Sequence, residues 1–190
     1  MKIHFSFALL LIVQLSCTQP NNTVKQVQEK ENSEFFPVGN YIKGQLIDIQ
    51  NKGITPIKFI KKNEALDSSW IKTSQMESEF SEYTEPSIDS ITVAPFFTVK
   101  KFFDQTLNLI TLSYDPSGPI PDSIPWRHWD IYIDPETNTI KRIYLVKSLK
   151  NNSIRQLTWI TGKYCKAITI EEDLQGKSTI SNEVIIKWGY

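Results

Sequence analysis

Apolar residues along this chain keep two rhythms, and the change from one to the other divides it. Between residues 37 and 51, Val38, Ile42 (or Tyr41), Leu46 (or Gln45) and Ile49 recur at the spacing of one helix face. Pro37 suits the first turn of that helix and Gly53 a stop just past its end. Gly39 and Gly44 weaken it, at a cost on the order of 1 kcal/mol each relative to alanine. "ITPIKFIKKN" then reads as a strand and "SSWIKT" as a short second one. The stretch "TSQMESEFSEYTEP" predicts another helix. Ser74 and Glu77 have capping-box spacing, Met76, Phe80 and Tyr83 share a face, and Pro86 follows the end. Its Glu79, Glu82 and Glu85 are expected on the solvated side.

From residue 96 the rhythm shortens to two. "FTVKKFFDQ", "TLNLITLSY", "HWDIYIDP", "TIKRIYLVK", "IRQLTWIT", "KYCKAITIEE" and "STISNEVIIKW" alternate apolar and polar residues between short turn segments such as "DPSGP", "DPETN" and "LQGK". Links this short imply antiparallel neighbours. The expected fold class is α+β, with N-terminal helices packed on an antiparallel β-meander of about five to seven strands, in one domain over residues 35–190.

Composition narrows the function classes. The 190 residues are 40% hydrophobic and 12% aromatic, enough to bury a core, and Lys plus Arg balances Asp plus Glu at 21 each. A neutral chain without a basic stripe gives no electrostatic reason to expect nucleic acid as a partner. Two cysteines make neither a disulfide framework nor a CxxC zinc pair. The sequence holds no GxGxxG after a strand, no P-loop, no HExxH and no GxSxG elbow, so no cofactor and no metal is expected.

The N-terminus "MKIHFSFALLLIVQLSC" has a basic Lys2, an apolar run from Phe5 to Val13 and a small Ser16 before Cys17. The run is well short of the roughly 20 residues that span a bilayer. Leu15, Ser16 and Cys17 resemble the lipobox of bacterial lipoproteins, with Gln14 standing where that family usually has an aliphatic residue. The resemblance implies a signal peptide over residues 1–16 and lipid attachment at Cys17. Residues 17–34 follow as a polar tether, and the protein is placed in the bacterial cell envelope. The expected place is the outer membrane, and the lack of an acidic run after Cys17 implies, among such lipoproteins, a position facing the periplasm over surface display. The rival reading is a secreted protein with Cys17 free or paired with Cys165.

The densest polar-aromatic cluster is "WRHWDIYID". Strict alternation places Trp126, His128, Asp130, Tyr132 and Asp134 on one face, and Trp129, Ile131 and Ile133 on the core face. Asp130 and Asp134 would stand roughly 13 Å apart along a strand, outside the about 5–9.5 Å that glycosidase carboxylates need. The hairpin "WDIYIDPETNTIKRIYLV" resembles the strand-turn-strand of PepSY-type domains at Ile131, Ile133, Asp134, Asn138 and Ile140, with Asn138 where that family often has Gly. Three readings follow. The favoured one is a non-enzymatic, membrane-anchored binding or accessory lipoprotein, with Trp126, His128, Asp130 and Tyr132 as its candidate surface and an envelope protein or glycan as partner. The alternatives are a small envelope hydrolase using His128 with Asp130 or Cys165, and the protease-inhibitory module that the PepSY-like hairpin implies.

Overall fold

The computed structural model describes residues 35–62, 65–150, 153–173 and 175–189. The signal peptide, Cys17 and the tether of the sequence reading lie outside the described residues. Helix α1 (Val38–Asn51) is followed by strands β1 (Ile57–Lys62) and β2 (Ala65–Trp70). A short helix α2 (Met76–Phe80) comes next, flanked by 3-10 turns at Thr73–Gln75 and Ser81–Tyr83. Then come β3 (Phe97–Asp104), β4 (Leu109–Pro116), β5 (Trp126–Ile133), β6 (Ile140–Ser148), β7 (Ile154–Ile160), β8 (Tyr164–Glu172) and β9 (Ser178–Lys187).

All nine strands form one sheet in the order β2-β1-β9-β8-β7-β6-β5-β4-β3, and every neighbouring pair is antiparallel. The sheet is larger than the five to seven strands expected. Its extra members are the two early strands, which join because β1 pairs with the last strand, β9, from Ile57–Lys187 to Lys62–Asn182. That contact closes a loop of more than a hundred residues, and no local pattern announces it. Nor are the helices gathered at the N-terminus, since α2 sits between β2 and β3. The helix expected over "TSQMESEFSEYTEP" keeps only five α-helical residues. Ser78 and Ser81 each donate back to a carbonyl three residues earlier, a local bond that competes with regular helix. The expected box of Ser74 with Glu77 is replaced by the Lys72 N–H donating to the Gln75 side chain at 3.1 Å.

The turns opening at Asp104, Asp134 and Asp173 share one device. In each, one aspartate oxygen accepts N–H groups two and three, or two and four, residues on. The chain then passes through a left-handed residue, Asn108 at φ 54°, Asn138 at φ 54° or Gly176 at φ 79°. Asparagine tolerates that region because its short amide bonds locally, so Asn138 does here what glycine would.

Directly opposite residues of an antiparallel sheet share a face, so the register sorts every side chain. Tyr114, Trp129, Leu145, Leu157 and Ala167 lie in one row, and Ile131, Ile143, Trp159, Cys165 and Ile186 in the next. All ten are buried. The helices pack on this face. Phe80 meets Trp159 and Trp188 edge-on with ring centroids 5.8 and 5.7 Å away, and Phe35 packs edge-on against Tyr114 and Trp129. Val38, Ile42 and Ile49 bury the inner stripe of α1.

Of the glutamates expected on the solvated side, Glu85 lies there, whereas Glu79 and Glu82 turn to cations of the sheet. Glu79 binds Lys58 of β1 at 2.7 Å, and Glu82 takes both Nε and an amino group of Arg155 at 2.9 and 3.0 Å. Alternation turns Lys58, Lys147 and Arg155 toward the helices, and the segment lies close enough to meet them. Lys147 is 93% buried and donates to the carbonyls of Glu82 and Glu85 while its ammonium sits over the Trp126 ring. Burial lowers its pKa to about 8.

Candidate functional site

Strand β5 delivers the residues singled out from "WRHWDIYID", but divides them between two faces. Between Trp126 and His128 the pairing with β6 advances by one residue only, from Lys147 to Val146, so Arg127 is a bulge. One extra residue inverts the alternation before it. Trp126 therefore turns to the helix-covered face, where it is fully buried and donates its indole N–H to the Pro86 carbonyl at 3.1 Å. The expectation that Trp126 shares a surface with His128 is corrected on this point. Arg127 folds its side chain back onto the carbonyls of Ile124 and Trp126, which settles the bulge.

His128, Asp130 and Tyr132 do stand together on the opposite face of the sheet. His128 Nδ1 lies 2.9 Å from Asp115 and its Nε2 3.0 Å from Asp130. The Tyr132 hydroxyl donates to the same Asp130 oxygen at 3.1 Å. The hydrogen bond to Asp130 raises the His128 pKa against the opposing pull of burial, and Asp115 adds to it. Burial pushes Asp130 upward, yet bonds from His128, Ser113 and Tyr132 outweigh it and the pKa falls. A ring with a carboxylate at each nitrogen is favoured as imidazolium, both N–H groups donating.

Neighbouring strands complete the cluster with groups that no stretch of β5 reveals. Arg142 of β6 lays its guanidinium over the Tyr132 ring, 3.7 Å from the centroid. Tyr144 of β6 stands 6.2 Å from the His128 ring. Asp115, at the end of β4, belongs in sequence to the turn segment "DPSGP"; only the register of β4 on β5 brings it beside His128. For Arg142 and Tyr144 the signal was present, since "KRIYLV" alternates with them on one parity.

Asp134 does not join this group. It opens the β5–β6 turn, where the Thr137 N–H and then Lys141 at 3.1 Å hold its pKa down to about 2. Cys165 is equally remote. It is fully buried on the helix-covered face beside Tyr83, burial raising its pKa, three strands from β5 and on the other side of the sheet from His128. Three strand spacings alone amount to roughly 14 Å. Among the described residues no group of three or more His, Cys, Asp or Glu side chains is arranged to hold a metal ion. No helix among them is long and apolar enough to cross a membrane.

What this arrangement does well is hold a fixed pattern of charge and rings on a half-exposed sheet face. Each imidazole nitrogen of His128 faces a carboxylate, so both are engaged within the cluster. A scan against protein-family models and searches of curated proteins and of solved structures find no match to this chain.

Proposed function

We propose that this chain is a non-enzymatic, membrane-anchored envelope lipoprotein, held by a lipid on Cys17 and acting as a binding or accessory module. Its recognition surface is the sheet face around His128, Asp130 and Tyr132, extended by Arg142 and Tyr144. The observation that carries the binding half of this reading is the doubly bonded imidazole of His128. A preorganised, charge-balanced cluster beside half-buried rings presents hydrogen-bond and stacking groups at low ordering cost, as a partner site requires. The hydrolase alternative has its His128–Asp130 contact at 3.0 Å, while Cys165 faces the helices and Asp115 meets the other His128 nitrogen, so the binding reading is favoured. The PepSY-like hairpin has its Asp134 and left-handed Asn138 in the turn, which supports a turn geometry and adds nothing for protease inhibition.

The test has two parts. Mass spectrometry of the mature N-terminus, in wild type and Cys17→Ala, is expected to find a diacylated Cys17 only in the former; an unmodified wild-type N-terminus overturns the anchor. A photo-crosslinking residue placed at Tyr144 is then expected to capture an envelope protein or glycan that the same probe at exposed Gln105 does not. Equal capture at both positions removes the surface.

A further inference from the structure

Strand β2 ends the sheet among the described residues, and all six of its residues are exposed. Leu66 is 72% exposed and Trp70 62%. The opposite end, β3, carries Lys100 and Lys101 in its middle, the usual guard against strands docking edge to edge. β2, "ALDSSW", has no lysine, no proline and no bulge in its register with β1.

Its backbone orientation is fixed by two contacts. The Ser68 N–H donates to the carboxylate of Asp67 at 2.7 Å, and the Ile71 N–H donates to the Pro56 carbonyl at 2.8 Å across the β1 side. Successive residues of an antiparallel strand direct their N–H and C=O groups to alternate sides. Odd positions therefore serve β1, while Leu66, Ser68 and Trp70 point their backbone groups away from the sheet.

We propose that this edge receives a second copy of the chain, β2 against β2 and antiparallel about a two-fold axis at Ser68. In that register Ser68 faces Ser68 of the second copy, and Leu66 of each copy faces Trp70 of the other. The outward N–H and C=O groups of these three residues then meet their equivalents in the geometry of hydrogen-bonded pairs. The two exposed apolar side chains bury one another on one face, while Asp67 falls opposite Ser69 and not opposite itself. Self-complementarity of this kind is what an isologous contact demands. The Asp67 carboxylate must release the Ser68 N–H, and the two aspartates end up diagonal at about 7–8 Å, so Asp67 restrains the contact. One strand pair buries less than the roughly 1,200 Å² of stable complexes; the dimer is reversible and concentration-dependent.

Cysteine crosslinking of the full chain, oxidised over a concentration series, tests this. A hydrogen-bonded pair sets Cα atoms about 5.5 Å apart, inside the disulfide range, so Ser68→Cys is expected to yield a covalent dimer. Ser69→Cys, on the other face and diagonal to its equivalent, yields none, and wild type reports any contribution of the native cysteines. Asp67→Asn added to Ser68→Cys is expected to raise the dimer yield about two- to fivefold at low concentration. Equal crosslinking at positions 68 and 69, or none at either in chains whose circular dichroism is native, overturns the proposal. The readout is independent of any ligand on the His128 face and of lipid on Cys17, so the functional reading can fail while this contact stands.

Discussion

The two faces of one sheet, built by the same strands, handle polar groups in opposite ways. On the helix-covered face the cations are inward: Lys147 and Arg155 are spent on the backbone and carboxylates of the 82–86 segment and fasten it to the sheet. On the other face, charges are spent on each other, as in Asp115–His128–Asp130 and the Lys166–Glu183 pair at 2.5 Å. The first pattern yields stability, because desolvated groups that lose a partner cost the full penalty of being buried. The second yields a defined surface, because half-exposed pairs contribute little to folding while fixing where charge and rings lie. Charged residues on a sheet are thus not by themselves a sign of a site.

That contrast is open to direct attack. The largest effect is expected on the covered face at Trp159, whose ring meets Phe80, Tyr83 and Trp188. Trp159→Ala should cost about 3–5 kcal/mol in urea unfolding, whereas Tyr132→Ala on the other face should cost well under half of that. Equal losses would show that both faces are core. Next comes Lys147→Ala, expected to destabilise by about 2–3 kcal/mol by stripping two carbonyls of their donor and opening space beside Trp126. Lys147→Met should recover part of the loss through packing. An unchanged midpoint for Lys147→Ala would mean that the 82–86 segment is not held this way.

The smallest effect, within about 1 kcal/mol, belongs to His128 and is recognised by its pH dependence. Its folded pKa is raised. The stability it contributes is therefore fully present below its unfolded value, about 6.5, and disappears as pH rises through the folded value. The gap between wild type and His128→Gln should narrow from pH 5.5 to pH 9. A gap that widens with pH would show that the ring is neutral in the fold.

Much of the cluster is already written in period-two alternation: His128, Asp130 and Tyr132 share a face because the pairing of β5 is regular from His128 to Tyr132. The same alternation puts Trp126 on the wrong face. Alternation knows nothing of a bulge, and the one at Arg127 shows only in the register of β5 on β6, with the guanidinium closing onto the nearby carbonyls of Ile124 and Trp126. Asp115 illustrates a different gap. It opens a segment with the composition of a turn, "DPSGP", and its partner lies thirteen positions away on the next strand.

By itself the sequence determined local structure: the helix over Val38–Asn51, most of each strand from Phe97 to Lys187 and the aspartate-led turn at "DPETN". These follow from spacing, from backbone preference and from bonds spanning a few residues, all of which act before the chain is compact. Tertiary structure decided the rest. Pairing of β1 with β9 and the recruitment of Glu79 and Glu82 to sheet cations depend on groups far apart in the chain. Their free energy is realised only after the entropy of closing long loops has been met, so no window of a dozen residues contains it.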